Sequence, residues 1–574
     1  MTEKTFQEMV DVAREYINAD VEYEFSETEK SVLSRFFTNY DKKVFFVRFL
    51  PSAISSALLA MYSRIKNPRG LRGHFVDNLL PLILVSFLPQ FENGANSDVT
   101  GVTEYIKENG MSTLDAFIDH NSDTYALFGE FLENTNVNPD YFKKLAHSGK
   151  IQKFLSLFLD KYGHNSIARV GFEAFGIEGV SELAAKSIEW NRPASGFIEL
   201  STRFVSMEKA ELYPIWNEIA VVDKELGEIV KKAIEFSFWR YKTAMESGKD
   251  SFEDSFAEFL NQRYEKDVPD EKELISAILG ETCDVMGNLL PAATLTSVGV
   301  GMSGEAMPEL IRHLYLDKTP ENYALAEAIT EEAKKTGANQ FLRHVDVSKW
   351  QEVSWNYLDV APFANRFSTG KNVYLNTFPE KSVSKYIGDA FFRENVEEVI
   401  NELKKNPRNE FDKLPNQFEF ISAYADGVMS FRSWRDLHRQ TFATHLRTYL
   451  TPWIGFYRYD KPAPEWLNKA FVETHGSDAA LYGIMQKAGL TSEMMQYPLA
   501  LGNLVGFQIG ANLREFEFIT WQRTKFAVNH EVRQTVLAIE RELRNAYPWW
   551  EGLSRADMMP RYAFARTKKG IPLF

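Results

Sequence analysis

The sequence predicts an α+β protein built as two tandem units, each a small, mostly antiparallel sheet carrying long helices. Three observations predict it. Short β-rich runs are few, apolar residues elsewhere recur at three- to four-residue spacing, and the chain repeats itself in order.

The first unit opens at Lys43-Val44-Phe45-Phe46-Val47-Arg48-Phe49-Leu50-Pro51, a β-rich run stopped by proline and followed by the helical SAISSALLAMYSR. The second opens in the same way, with Lys371-Asn372-Val373-Tyr374-Leu375-Asn376-Thr377-Phe378-Pro379 leading into EKSVSKYIGDAFFR. At the far ends, Asp284–Gly304 (DVMGNLLPAATLTSVGVGMSG) parallels Glu493–Asn512 (EMMQYPLALGNLVGFQIGAN): a helix, a Leu/Pro break, then small residues. A weaker third pair sets IELSTRFVSMEKAELYPIW from Ile198 beside HLRTYLTPWIGFYRY from His445. The kept order favours tandem duplication, against the shared composition of helical proteins as the competing explanation.

The resulting layout is an N-terminal helical arm over 1–38, a first domain over 39–345, a linker over 346–370 and a second domain over 371–574. The first domain carries an insertion around 65–160, which includes the turn-rich Pro89–Asp98. Segment 346–370, with Trp350, Trp355 and the turn at 368–370, is the expected joint. Helices are predicted at Asp223–Ser247, Asp270–Leu289, Glu321–Lys335, Glu394–Lys405 and Glu515–Ala546.

A chain of 574 residues has room for two to four domains at roughly 100–200 residues each. Its 65 basic and 79 acidic side chains leave a net charge of −14, which argues against general binding of nucleic acid or acidic membranes. A local basic pocket for one phosphate stays open. Aromatic residues make up 14% of the chain, enough for substantial cores or flat ring-binding pockets. The only cysteine, Cys283, excludes an internal disulfide framework and any multi-cysteine metal or cluster site. The first twenty residues are acidic and amphipathic, unlike a signal peptide, and the apolar stretch Leu79–Leu88 is too short to span a bilayer. A cytoplasmic protein without membrane or nucleic-acid partners is expected.

Three groups of residues could carry chemistry. In Glu199-Leu200-Ser201-Thr202-Arg203-Phe204, an extended backbone would project Glu199, Ser201 and Arg203 from one face. An acceptor, a hydroxyl and a guanidinium together suit a phosphorylated or heteroaromatic ligand. An exposed helix with Glu199 and Arg203 as an i,i+4 pair is the plainer alternative. The second group is Arg432 to Arg439, followed by His445 and Arg447, with four arginines and two histidines in an acidic chain. Ser433 and Trp434 lie within it, and the indole could flank a ring bound against the basic residues. A solvated helix pairing with nearby carboxylates competes with that reading. The third group is Asn512-Leu513-Arg514 with Arg523 and His530. Asn512 and Arg523 are eleven residues apart, about three helical turns, hence on nearly one face. His530 alone is more often structural. No HExxH or other metal-ligand spacing stands out, Cys283 sits in an apolar helical run, and the glycines at 299, 301 and 304 follow no βαβ strand.

These motifs resemble the flavin-dependent thymidylate synthases, also called thymidylate synthase complementing proteins, in their large two-copy form. That family carries an Arg-His-Arg, then Asn-Glu-x-Ser-x-Arg-Tyr, with a Gly-His-x-Ser/Thr upstream and an Asn-x-Arg, a further Arg and an Ala-Gln-x-Glu-Ile-Arg downstream. Here Gly163-His164-Asn165-Ser166, Asn191-Arg192-Pro193-Ala194-Ser195 and Glu199-Leu200-Ser201-Thr202-Arg203-Phe204 follow the first part. Asn512-Leu513-Arg514, Arg523 and Val528-Asn529-His530-Glu531-Val532-Arg533 follow the second. The departures are complementary. The first half keeps Glu-x-Ser-x-Arg but has Trp190-Asn191-Arg192 for Arg-His-Arg and Ser303-Gly304-Glu305 for Asn-x-Arg. The second keeps His438-Arg439 and the downstream residues but reads His445-Leu446-Arg447-Thr448-Tyr449.

The resemblance implies reductive methylation of dUMP to dTMP, with FAD as cofactor and NADPH and methylenetetrahydrofolate as co-substrates. It implies one composite site per chain, with the symmetry-related site lost, and a homodimer standing in for the family's tetramer. Arg523 would be the electrostatic catalyst. Glu199, Ser201, Arg203, Ser433 and Trp434 would hold the nucleotide, and Arg192, His438, Arg439, Asn512 and Arg514 would contact FAD. The family's phosphate-binding arginine has no counterpart, since Ser297 and Gly506 fall near its place. A paralogue acting on another pyrimidine nucleotide or leaving a hydroxymethyl group, and a non-catalytic scaffold, are the alternatives.

Overall fold

The computed structural model describes residues 3–48, 58, 66–80, 108, 110, 114–121, 123, 126, 172–190, 194–203, 205–245, 256–336, 338–342, 357–358, 373–377, 398, 400–405, 408–409, 412–564 and 566–572. Gly163–Ser166, Arg192, the run after Pro51 and most of the 346–370 joint lie outside them.

The chain divides into two compact units, one of Thr2–Ser201 with Leu295–Val353, the other of Thr202–Thr294 with Ser354–Phe574. Two crossings, after Ser201 and after Thr294, thus fall inside the expected first domain of 39–345.

The first unit is built on strands β1 (Val44–Val47), β2 (Phe172–Ser181), β3 (Ser195–Glu199) and β4 (Leu295–Ser303), antiparallel in the order β1-β2-β4-β3. Alternation along β4 buries Val298, Val300 and Met302, which join Phe175 and Ile177 of β2 and Phe46 of β1 in the core. Phe46 stacks on Phe175 with ring centroids 4.8 Å apart. At Gly179 the register of β2 slips, and the residue takes a φ of +67°, a left-handed value glycine adopts without cost. The helices Met307–Leu316 and Pro320–Thr336 supply Leu310, Leu314, Leu325 and Ile329 to the same core. The expected arm over 1–38 forms two helices, Glu3–Asn18 and Glu27–Phe36. The first packs on Pro320–Thr336, and the second starts at a capping box between Ser26 and Glu29.

The second unit carries β5 (Tyr357–Leu358), β6 (Val373–Thr377), β7 (Ser422–Ser430), β8 (Thr444–Thr448) and β9 (Leu504–Asn512). Their order is β5-β8-β9-β7-β6, antiparallel except where β5 joins β8. Val505, Phe507 and Ile509 of β9 face the core with Ala423, Ala425 and Met429 of β7. β5 therefore draws part of the expected linker into a sheet. Without β5, the successive strands of both sheets follow one order: first, second, fourth, third.

The two units share a further detail. Ser181 ends β2, caps the helix Glu182–Ile188, and donates from its backbone N and Oγ to Glu321 at 2.9 and 2.6 Å. Ser430 ends β7, caps the helix Phe431–His438, and donates in the same way to Glu531 at 2.8 and 2.5 Å. Each glutamate sits in the first turn of a long helix, Pro320–Thr336 or His530–Ala546, so a carboxylate at a positive helix end also receives the serine.

Segment 202–294 belongs to the second unit for a backbone reason. Its Leu/Pro break pairs with the matching break further on: Ala292 and Ala293 donate to Leu499 and Tyr497, and Leu501 and Gly502 donate back to Leu290 and Asn288, all at 2.8 Å. Inside the fold, such groups need partners, and each break supplies the other's. The predicted helices over 223–247 and 270–289 run from Lys224 to Met245 and from Glu271 to Met286. The helix predicted over Glu515–Ala546 is two, Leu513–Arg523 and His530–Ala546, because Asn529 caps the second through Val532 N at 3.2 Å. Among the described residues no helix is long and apolar enough to cross a membrane.

Candidate functional site

The helix Phe431–His438 is buried along its whole length although three of its residues are arginine or aspartate. Phe431, Trp434 and Leu437 fill the core, while Arg432 and Asp436, four residues apart, share another face. Buried charges on such a helix require partners, and the partners come from distant segments of the same unit.

Arg432 donates through Nη2 to the Cys283 carbonyl at 2.9 Å and to Asp284 Oδ1 at 3.1 Å. Asp284 also accepts from Arg203 Nε, at 3.0 and 3.2 Å to its two oxygens. Arg203 reaches the Ala527 carbonyl through Nη2 at 3.0 Å, and its Nε lies 3.9 Å from Asp436 Oδ2. Arg523 closes the group as the last residue of its helix. With the Gln440 carboxamide turned oxygen-inward, Nε and Nη2 of Arg523 donate to it at 2.9 and 2.8 Å.

Asp436 is the electrostatic centre. Burial pushes its carboxyl up, but Arg203, Arg439, Arg523 and Arg432 outweigh that and hold it at about 2. Burial, aided by Arg439 and Arg203, draws the Arg523 guanidinium down to about 10 against the pull of Asp436. Arg203 moves the other way: burial would lower it, but Asp284 and Asp436 outweigh this and raise it above its ordinary value. All remain charged at neutral pH. Among the described residues Arg523 makes no contact ion pair, and its bidentate partner Gln440 is neutral. A half-buried guanidinium so arranged is suited to an added anion or to a carbonyl gaining negative charge.

The group depends on space at Gly287. A Cβ there would lie 2.2 Å from Nε of the buried Arg432, whose Nη2 is held by the Cys283 carbonyl and Asp284. Gly287→Ala is expected to cost about 1–3 kcal/mol through overpacking, read as a lowered midpoint of urea unfolding. An unchanged midpoint would mean that Arg432 can leave its place freely.

The other residues singled out from the sequence are placed as follows. Glu199 ends β3 in the first unit, buried, with Lys186 donating to it at 2.8 Å and also engaging Glu189. Ser201 is buried in that unit too. Extended structure stops at Glu199 and residues 202–203 turn, so a single face presenting Glu199, Ser201 and Arg203 does not form. Ser433 is buried and donates to Asn529 Oδ1 at 3.3 Å. Trp434 is fully buried, stacked on His438 at 4.5 Å, and His438 meets His445 edge-on at 5.1 Å. Asn512 caps its helix through Glu515 N at 2.9 Å. Arg514 donates to the Leu414 carbonyl at 2.6 Å and pairs with Glu419, nine residues and about 13 Å of helix from Arg523. The structure thus unites Arg203, Arg439 and Arg523, and leaves Asn512 and Arg514 at the other end of the Leu513–Arg523 helix.

Arg432 and Asp436 belong to the second sequence group without an assigned role, and Asp284 and Gln440 are the members that the sequence did not single out as functional. One signal for them existed: Glu281 and Asp284 interrupt an otherwise apolar helix end, and carboxylates there need cationic partners. Among the described residues no group of three or more His, Cys, Asp and Glu gathers as metal ligands would. Burial first, then Asp284, pushes the Cys283 thiol up to about 11, which makes it a poor nucleophile.

Residues 120–336 match the family model described as thymidylate synthase complementing protein. The stretch contains Gly163–Phe204 but not Arg523. The UPF0159 protein of Chlamydia pneumoniae is 22% identical over 563 residues, covering 92% of this chain and 94% of that protein. That of Chlamydia muridarum is 21% identical with the same coverage. That of Thermoplasma acidophilum is 22% identical over 476 residues, 74% of this chain and 90% of its own. A solved UMP/dUMP methylase of Streptomyces cacaoi, bound with 5-Br dUMP, aligns with 35% of this chain and 98% of its own, at 13% identity and a TM-score of 0.26.

Proposed function

We propose, from the match of residues 120–336 to the thymidylate synthase complementing protein family model, that this chain is a nucleotide-modifying enzyme that methylates dUMP to dTMP. The observation that carries the site assignment is the convergence of Arg203 and Arg523 on Asp436 within one unit. In this reading Arg523 stabilises negative charge on the pyrimidine as its N3 proton leaves, and Arg203 holds an anionic part of the nucleotide. Asp436 and Gln440 position the two guanidiniums. Methylenetetrahydrofolate and NADPH would be co-substrates, and FAD would supply the redox chemistry when bound.

The residues assigned to FAD fit it incompletely. Arg439 belongs to the Asp436 group, but His438 is buried beneath Trp434, and Asn512 and Arg514 are engaged at their own helix start. We extend the proposal to a tandem duplication, supported by the shared strand order and the Ser181–Glu321 and Ser430–Glu531 pairs, and to a homodimer in place of the family's tetramer.

The deciding experiment titrates purified protein with FAD and with dUMP, then follows tritium release from 5-tritiated dUMP with mass analysis of the product. One flavin and one dUMP per chain, with dTMP formed, are expected. Product heavier by a hydroxymethyl group would redirect the assignment to a paralogous chemistry. Colourless protein that binds neither compound would leave a scaffold.

A further inference from the structure

The second unit holds a separate cavity of about 600 Å³, within the range of small-molecule sites, and none of the residues around Asp436 lines it. Its floor is the end of the sheet, Val428 and Met429 of β7 with Leu504 of β9. One wall is the segment of Phe456, Tyr457 and Arg458, fixed to the sheet end by Tyr457 N donating to the Gly502 carbonyl at 2.7 Å and by a bridge between Phe456 and Asn503. The other wall is one face of the helix His530–Ala546, where His530, Gln534, Ala538 and Arg541 recur at three- to four-residue spacing.

The chemistry of these walls is specific. Phe456 and Tyr457 offer ring surface, and Gln534 offers a donor and an acceptor to ring heteroatoms. Burial holds the Tyr457 phenol well above its ordinary value and draws the His530 imidazole down to about 3, so both are uncharged at neutral pH. Among the described residues Arg458 and Arg541 enter no ion pair, which leaves two guanidiniums at the cavity for an anion. Asp460, Glu531 and Glu542 also line it; Glu531 is engaged by Ser430 N and Oγ, and the three carboxylates oppose a doubly charged phosphate more than a single carboxylate.

We propose that this cavity is a second small-molecule site, taking a planar heteroaromatic carboxylate with its ring against Phe456 and Tyr457 and its acidic group on Arg458 and Arg541. It goes beyond the dUMP reading and does not depend on it. Isothermal titration of the full-length protein with quinaldate, nicotinate and pterin-6-carboxylate, and with AMP as the phosphate-bearing arm, tests it. At least one carboxylate is expected to saturate the protein, with AMP weaker. Arg541→Gln, an exposed position that should not disturb folding, is expected to weaken that binding by about tenfold or more. Ala538→Trp should block it by filling the cavity, and Arg523→Ala should leave it unchanged. The proposal is overturned if no carboxylate saturates at millimolar concentration, if AMP binds more tightly than all of them, or if Arg541→Gln leaves the affinity intact. Loss of the binding in Arg523→Ala overturns it too, by assigning the ligand to the other site. Should Ala538→Trp not fold, Arg541→Gln and Arg523→Ala still decide.

Discussion

Replacing Asp436 by asparagine is expected to lower stability by ~3–5 kcal/mol, because the buried guanidiniums around it lose their shared anion. Asparagine has nearly the same shape, so little of this comes from packing. The measurement is the midpoint and slope of urea unfolding for wild type and variant. The pH dependence has a definite sign. A carboxyl held at about 2 in the folded chain, against about 3.9 when unfolded, stabilises the fold above the unfolded value and loses that contribution as pH falls toward 2. The stabilisation at neutral pH from this one group is ~2–3 kcal/mol. Wild type should therefore lose stability between about pH 5 and 2 more steeply than Asp436→Asn. Equal acid profiles would show that the arginines are neutralised by other groups.

Removal of the Arg523 side chain is expected to reduce the proposed turnover of dUMP by ~100- to 1000-fold, the usual effect of deleting one group that stabilises charge in a transition state. Stability should change little or rise slightly, since burial already disfavours the charged form of this guanidinium. The two readouts separate a chemical role from a structural one. Arg523→Lys should recover only part of the rate, because a lysine cannot hold Gln440 through two parallel hydrogen bonds and still present a planar face. Turnover in Arg523→Ala equal to wild type would remove this residue from the reaction.

Much of the architecture was legible because it is local. The paired runs at 43–51 and 371–379 coincide with β1 and β6, and each opens the four-strand order that the two sheets share once β5 is set aside. Helix periodicity located the helices at 224–245 and 271–286. Periodicity tells which face is buried, not what covers it, and so it could not tell that segment 202–294 belongs with the second sheet. The site was harder for a related reason. Arg203, Asp284, Asp436 and Arg523 lie in four separated stretches, and only the fold makes them neighbours. Reading Asn512 as a ligand contact overlooked a local pattern: an asparagine three residues before a glutamate at a helix start is a capping signature, and Asn512 caps through Glu515. The expectation that Glu199, Ser201 and Arg203 share a face extended a strand four residues beyond its end at Glu199.

The mutual pairing of the two Leu/Pro breaks has a consequence for biosynthesis. The amides of Ala292 and Ala293 wait for acceptors at Leu499 and Tyr497, roughly 200 residues nearer the C-terminus. At ~5–20 residues per second on a ribosome, that wait lasts roughly 10–40 s. Throughout it the nascent chain carries an emerged but unpartnered stretch, open to chaperones and proteases. A chain released early, at the 346–370 joint, would keep that stretch exposed for good.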